Sequence, residues 1–138
     1  MPTHTTGSFA FADWQEKVVA ESADGPKLAT AVATNHFTGG IEATGTSCAY
    51  TIVHTAGGPG PAGGFTGHEL VTGTVGGRRG SFVLAEHGTF DGDGTVRCTF
   101  EVVPGSATGE LAGLRGTGGF TAVHGEPSVP YAFDYEPG

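Results

Sequence analysis

Two glutamates, Glu69 and Glu86, are the residues of this sequence best suited to acid–base chemistry. The pair Gly76–Gly77 favours a two-residue hairpin turn, and such a turn fixes which residues of its two strands face each other. Counting outwards from the turn puts both glutamates on one face as diagonal neighbours, with backbone positions no more than about 8 Å apart. Burial and a second carboxylate both raise the pKa of a carboxyl group. The pattern therefore predicts a pair in which one member holds a proton near neutral pH and serves as general acid or base.

The face that carries the two glutamates is otherwise apolar. A three-residue loop within 91–95, with Gly94 in the left-handed region, extends the register to the next strand. The opposite face then carries mainly polar side chains, which we expect to point outwards: His68, His87, Thr99 and Glu101. Four inward residues are predicted to shape a ligand cavity: Phe65, Phe82, Leu84 and Phe100.

Four further residues are candidates for contact with a ligand. Glu42 and Tyr50 alternate on one face of a predicted strand and are expected to point inwards. Trp14 and Glu16 close the first predicted strand, where Trp14 either stacks on a ligand or caps the core. Structural roles are open as well: Tyr50 as a hydrogen-bonded core tyrosine, the glutamates as partners of hydroxyl or backbone groups, and Glu86 as a residue of the solvated rim.

Motifs for metals and cofactors are not found in this sequence. The six histidines never adopt the HxH or HExxH spacing of metal sites. GxSxG, a Walker loop and a GxGxxG opening a helix are also missing. We therefore expect no metal and no cofactor. Cys48 and Cys98 lie fifty residues apart without a CxxC pairing and are predicted to be buried, reduced thiols.

The composition and net charge exclude several classes of protein. The 138 residues correspond to one domain, 1–138, and 26 glycines with 8 prolines argue against long helices and coiled coils. A net charge of −8 argues against a nucleic-acid partner, which requires a basic surface. The N-terminal segment 1–7 lacks the pattern of a signal peptide, and no apolar run is long enough for a membrane span. We expect a cytoplasmic protein without a membrane partner.

In eight stretches, separated by turn signals, apolar residues recur at every second position. This pattern predicts an all-β fold. The expected architecture is an eight-stranded antiparallel barrel, with a sandwich as the alternative, and closure is favoured because it removes exposed sheet edges. The segment 57–64 reads as a turn or mobile loop. A short helical turn is expected over 106–113, with Ser106 as N-cap and Gly113 as its end, plugging one end of the barrel.

Several strings resemble the signature of a bacterial family of uncharacterised small barrels. They cover nearly the whole chain and are GTVGGRRGSFVL at 73–84, HGTF at 87–90, VVPGSATGELAGLRG at 102–116 and YAFDY at 131–135. Its Trp-x-Glu and Gly-x-Glu elements match Trp14–Glu16 and Gly67–Glu69, and the resemblance implies that Glu16 and Glu69 face the lumen. The family resembles allene oxide cyclase in fold, a lipocalin-like barrel open to a small apolar ligand. It is also similar to dirigent proteins and to barrel cyclases that close rings without a cofactor.

Three functions follow as hypotheses. The first is a cofactor-free cyclase or isomerase acting on a small apolar, natural-product-like molecule in the lumen, with Glu69 and Glu86 as catalytic residues. The second is a barrel that binds such a molecule without converting it. The third is an acidic-residue peptidase, a role suggested for a relative in the family. A homodimer or homotrimer through the outer faces is also expected.

Overall fold

The computed structural model, which describes residues 2–55 and 62–138, is a closed antiparallel barrel in which each strand pairs with its neighbours in chain order. This confirms the predicted fold class, although the turn expected at 57–64 lies largely outside the described residues. The strands are β1 (Thr3–Glu21), β2 (Lys27–Gly39), β3 (Ile41–His54), β4 (Gly63–Val75), β5 (Arg78–Phe90), β6 (Val96–Val102), β7 (Arg115–Ala122) and β8 (Val129–Glu136).

Glycine turns set the register of β4, β5 and β6 as predicted. Gly76 and Gly77 have φ values of 56° and 84°, which residues with a side chain rarely adopt, and Gly94 has a φ of 86°. The pairs that follow include Glu69 with Leu84 and Glu86 with Phe100. Both glutamates therefore point into the barrel.

One half of the barrel is filled by its own side chains, and we call it the packed half. A three-residue 3-10 turn, Gly109–Leu111, closes its end, with Leu111 and Leu114 buried in the core. The remaining buried members of this apolar cluster come from every strand except β7, whose Phe120 and Ala122 are partly buried against it. The largest members are Phe9, Phe37, Phe82, Leu84, Phe100, Tyr131 and Phe133. The described residues contain no helix long and apolar enough to cross a bilayer.

The predicted helical turn over 106–113 is shorter than expected, although it does plug the barrel. Thr108, not Ser106, is the N-cap residue, and it makes no side-chain capping bond. The Ser106 hydroxyl instead accepts a hydrogen bond from the Val83 amide at 3.0 Å and donates to the Val103 carbonyl at 2.7 Å. Ser106 thus ties the plug to β5, and this long-range contact overrides its local capping preference.

Tyr131→Phe is expected to lower the free energy of unfolding by about 1–2 kcal/mol, because it removes a buried hydroxyl that serves several backbone groups. That hydroxyl accepts from the Ile41 amide at 2.8 Å and lies 3.0 Å from the Thr38 carbonyl, which holds the β2–β3 turn on β8. Urea denaturation measures the effect, with Tyr135→Phe, at a half-buried tyrosine of the same strand, as the control. A variant as stable as the parent would contradict this role.

The other half of the barrel is less completely enclosed. Within the described residues, β1 pairs with β8 only from Thr3 to Phe9, and its remaining length pairs with β2 alone. Aromatic side chains on the inner face of β1 beyond Phe9 are therefore exposed: Phe11 is 59% and Trp14 47% accessible. We call the group Phe11, Trp14, Tyr50 and Phe65 the aromatic mouth.

Candidate functional site

Glu69 lies inside the barrel between the packed half and the aromatic mouth, and only 2% of its surface is accessible. Its Oε2 atom accepts two hydrogen bonds, from Asn35 Nδ2 at 2.6 Å and from Thr46 Oγ1 at 2.7 Å. Asn35 and Thr46 are themselves buried and belong to β2 and β3. Three strands therefore meet at one carboxylate oxygen, which two buried donors hold in place.

Glu86 is the second buried carboxyl group, and 4% of its surface is accessible. Its Oε1 atom accepts a hydrogen bond from the Tyr50 hydroxyl at 2.9 Å. Burial raises the pKa of Glu86 to about 9, and a hydrogen bond to Glu69 together with the Glu69 charge contributes to the rise. The hydrogen bond from Tyr50 acts in the opposite direction. Glu86 is therefore a neutral acid at pH 7.

Tyr50 connects the carboxyl pair to the aromatic mouth. Its hydroxyl contacts Glu86, while its ring stacks on Trp14 with ring centres 6.2 Å apart and planes inclined by 27°. Phe65 packs edge-on against the same tyrosine ring at 5.4 Å. Burial raises the pKa of Tyr50 above its ordinary value, so the hydroxyl keeps its proton.

Both cysteines border the site and are free, buried thiols, as predicted. Cys98 Sγ lies 4.0 Å from Glu86 Oε1, and Cys48 Sγ lies 3.8 Å from Asn35 Nδ2. Burial and the charge of Glu69 raise the pKa of Cys48 to about 12, and burial raises the pKa of Cys98 as well. Neutral thiols are weak nucleophiles, so these residues contribute small apolar surface to the site.

A second polar cluster lies at the edge of the aromatic mouth. Glu16 Oε1 accepts a hydrogen bond from Trp14 Nε1 at 3.3 Å, and Glu16 Oε2 lies 2.7 Å from His54 Nε2. The His54 ring packs edge-on against Phe90 at 5.3 Å. This cluster holds the far half of β1 against β3 and fixes the orientation of the indole ring. Among the residues that the structure describes, no group of three or more side chains has the arrangement of a metal site.

Comparison with known proteins identifies the family of this barrel. Residues 5–135 match the family described as "Protein of unknown function (DUF3224)". The chain belongs to the DUF3224 family. A solved structure of a DUF3224 protein with unknown function from Shewanella oneidensis MR-1 is 30% identical, with a TM-score of 0.79 over 100% of this chain and 99% of that one. No curated protein matches this chain. The family resemblance inferred from the sequence is confirmed.

One candidate site residue of this DUF3224 chain, Glu42, points in the opposite direction from the one predicted. Glu42 was expected inside the barrel with Tyr50, but it is exposed on the outer face. Gly45 has a φ of 67°, and a bulge between Ala43 and Ser47 inserts one extra residue into β3 relative to β4. Inward positions are therefore odd-numbered before the bulge and even-numbered after it. The expectation for Glu42 was wrong because it extended one alternation through the bulge.

The other candidates of this DUF3224 chain divide between the two halves of the barrel. Phe82, Leu84 and Phe100 point inwards as predicted, but they are fully enclosed in the packed half. The structure brings the remaining ones together around the carboxyl pair and the aromatic mouth: Trp14, Glu16, Tyr50, Phe65, Glu69 and Glu86.

Three polar residues of the site were missed by the sequence analysis: Asn35, Thr46 and His54. The sequence pattern could have indicated Asn35 as a buried polar residue, because the other inward members of its strand are small or apolar. That inward series was obscured because two large apolar residues of β2, Leu28 and Val32, point outwards. Its inward members are Ala29, Ala31, Ala33, Asn35 and Phe37. No local pattern distinguishes Thr46 or His54 from the other threonines and histidines of the chain.

Proposed function

We propose that this DUF3224 barrel is a cofactor-free cyclase or isomerase that moves a proton on a small apolar organic molecule. The observation that carries the proposal is the carboxyl pair. Glu69 accepts two hydrogen bonds at one carboxylate oxygen, whereas Glu86 is a neutral acid at pH 7. Two carboxyl groups whose surroundings separate their protonation states are the arrangement that acid–base enzymes use.

Such a reaction neither consumes nor releases a net proton, so it needs no cofactor. Glu86 gives its proton through the Tyr50 hydroxyl to one position of the substrate, and the resulting carboxylate takes a proton back from another position by the same route. A double bond shifts or a ring closes, and the carboxyl pair ends in its starting state. Tyr50 supports this role because its hydroxyl contacts Glu86 while its ring belongs to the aromatic mouth.

The location of the substrate follows from where the barrel is filled. The packed half is filled by core side chains, and beyond it a smaller buried cluster is covered by side chains of the barrel itself. We therefore place the substrate against the exposed rings of the aromatic mouth, Phe11 and Trp14. Within the mouth, the Tyr50 hydroxyl contacts Glu86. A peptidase is less well supported, since an extended polypeptide does not reach carboxyl groups that are 2% and 4% accessible.

Glu86→Gln is expected to lower kcat for proton transfer about 100-fold or more, because general acid–base catalysis contributes that much. Glu69→Gln is expected to lower kcat as well, because Glu69 helps to keep Glu86 protonated. 3-Cyclohexenone serves as the probe: its isomerisation to the conjugated ketone is followed by ultraviolet absorbance, and in D2O by deuterium uptake. Affinity for the probe is expected to change little, since glutamine keeps the shape of the site. Glu101→Gln, on the exposed outer face of β6, is the matched control.

The result of this experiment separates the proposals. Full turnover in both glutamine variants contradicts acid–base catalysis by the pair. Saturable binding of the probe with no isomerised product by mass spectrometry favours the second candidate function, a ligand-binding barrel. The aromatic mouth supports that second candidate, because its exposed rings suit an apolar ligand whether or not chemistry follows.

A further inference from the structure

We propose that Trp14 is the stacking platform of a binding site for planar, conjugated ring compounds, placed there by the backbone bulge at Asp13. This inference rests on the function proposed above in that it uses the same mouth, and it specifies the class of ligand. It is carried by the backbone of β1, by the contacts of the indole ring and by the exposure of that ring.

The bulge reverses the alternation of β1. Between Ala12 and Gln15 the strand advances three residues while β2 advances two, so one extra residue is inserted. Phe11 pairs with the buried Asn35 before the bulge, and Glu16 pairs with the buried Ala31 after it. Directly paired residues share a face of the sheet. Phe11 and Glu16 therefore both face inwards although one is odd-numbered and the other even-numbered, and Trp14 joins them.

Asp13 is in an unfavourable backbone conformation. Among the residues that the structure describes, it is the one residue other than glycine with a positive φ, 58°. Such a conformation persists only where surrounding structure enforces it, and it concentrates at functional sites. The visible consequence of the bulge is that the indole of Trp14 lies over Tyr50 and not on the outer surface.

The indole ring is held in a fixed orientation. Its N–H group donates to Glu16, which is bound in turn to His54, and one side of the ring is covered by Tyr50. Phe11 approaches edge-on at 6.5 Å. Trp14 nevertheless remains 47% accessible, so a large part of the ring is open to solvent. A preorganised aromatic surface of this kind binds flat rings in the offset-stacked arrangement that aromatic pairs prefer.

Ligand planarity distinguishes stacking from simple apolar burial. A saturated ring system of the same size covers a similar area but cannot lie flat on the indole. The matched probes are 2-naphthol and decahydro-2-naphthol, which share a carbon skeleton and a hydroxyl group. We expect the parent protein to bind 2-naphthol at least tenfold more tightly, as measured by isothermal titration calorimetry at pH 7.

Trp14→Leu is expected to weaken 2-naphthol binding at least fivefold and to leave the affinity for decahydro-2-naphthol nearly unchanged. Leucine keeps apolar surface at this position but removes the ring. Asp13→Gly is expected to keep the preference for 2-naphthol, because glycine tolerates the positive φ, whereas Asp13→Val is expected to reduce it. Leu70→Ala, on the outer face of β4, is the control, and circular dichroism checks the fold of every variant.

Three results would overturn the inference: equal affinity of the parent for the two probes, failure of both probes to bind, and an equal loss for both probes in Trp14→Leu. The outcome is separable from that of the proposed catalysis. Glu86→Gln is expected to retain the preference for the planar probe even though it loses proton transfer. Retained preference with no turnover in the parent would leave planar-ring binding supported and the catalytic proposal contradicted.

Discussion

Glu86→Gln is expected to make the protein more stable at pH 8 and to remove much of the dependence of its stability on pH. The pKa of Glu86 is raised from an ordinary value near 4.5 to about 9 in the folded protein, first by burial and then by Glu69. Below pH 4.5 the group is protonated in both the folded and the unfolded state. Between pH 4.5 and 9 the unfolded chain loses this proton and the folded protein keeps it, so stability falls as the pH rises.

The size of this effect follows from the linkage between protons and folding. One pKa unit corresponds to about 1.4 kcal/mol, so a gain of about 2 kcal/mol or more at pH 8 is a conservative expectation for Glu86→Gln. Glutamine does not ionise, but its amide still donates to Glu69 and its carbonyl still accepts from Tyr50. The substitution therefore removes the titration and keeps the hydrogen bonds.

Urea unfolding at intervals from pH 4.5 to 9 measures this prediction. The stability of Glu86→Gln and of the parent should converge near pH 4.5 and separate as the pH rises. Glu101→Gln, in which an exposed carboxyl group of β6 is replaced, is expected to follow the parent throughout. Parallel curves for Glu86→Gln and the parent across this range would show that Glu86 is ionised in the folded protein, which also removes the basis of the proposed general acid.

Asn35→Leu is expected to lower the free energy of unfolding by about 3 kcal/mol, because it removes a donor to a buried carboxylate and leaves that charge poorly compensated. Asn35 Nδ2 lies 2.6 Å from Glu69 Oε2, and within the described residues the other donor to this oxygen is Thr46. Leucine has the same number and branching of side-chain heavy atoms as asparagine but is bulkier, so a second background is needed to separate the hydrogen bond from the packing.

A double-mutant cycle with Glu69→Gln isolates the charge. In the Glu69→Gln background the partner of Asn35 is neutral, and Asn35→Leu is expected to cost only about 1 kcal/mol, the value of an ordinary hydrogen bond. Urea denaturation at pH 7 of the parent, both single variants and the double variant gives the coupling. Equal costs in the two backgrounds would mean that Asn35 contributes packing and does not compensate a charge.

The two variants test the two members of the carboxyl pair separately. Glu86→Gln examines the neutral acid, and Asn35→Leu examines the stabilised carboxylate beside it. Both results bear on the proposed catalysis, because a carboxyl pair transfers protons effectively when its members are held in different protonation states.

The strands and the register of β4 to β6 were determined by the sequence itself. Gly76–Gly77 and Gly94 encode tight turns locally, and a turn determines every pair that follows it along a hairpin. This is why the inward positions of Glu69 and Glu86 could be predicted from residue counting, and why all eight strands were recognised from their alternation and turn signals.

The remaining features of the site were decided by tertiary structure. A bulge at Gly45 turned Glu42 outwards, and a bulge at Asp13 carried Trp14 inwards. Each bulge depends on how two strands fit together, so strand alternation alone does not reveal it. Asn35 meets Glu69 from 34 positions away in the chain. The pairing of β2 and β4 with the two edges of β3 created that contact. The aromatic mouth is open because β8 pairs with only the first part of β1.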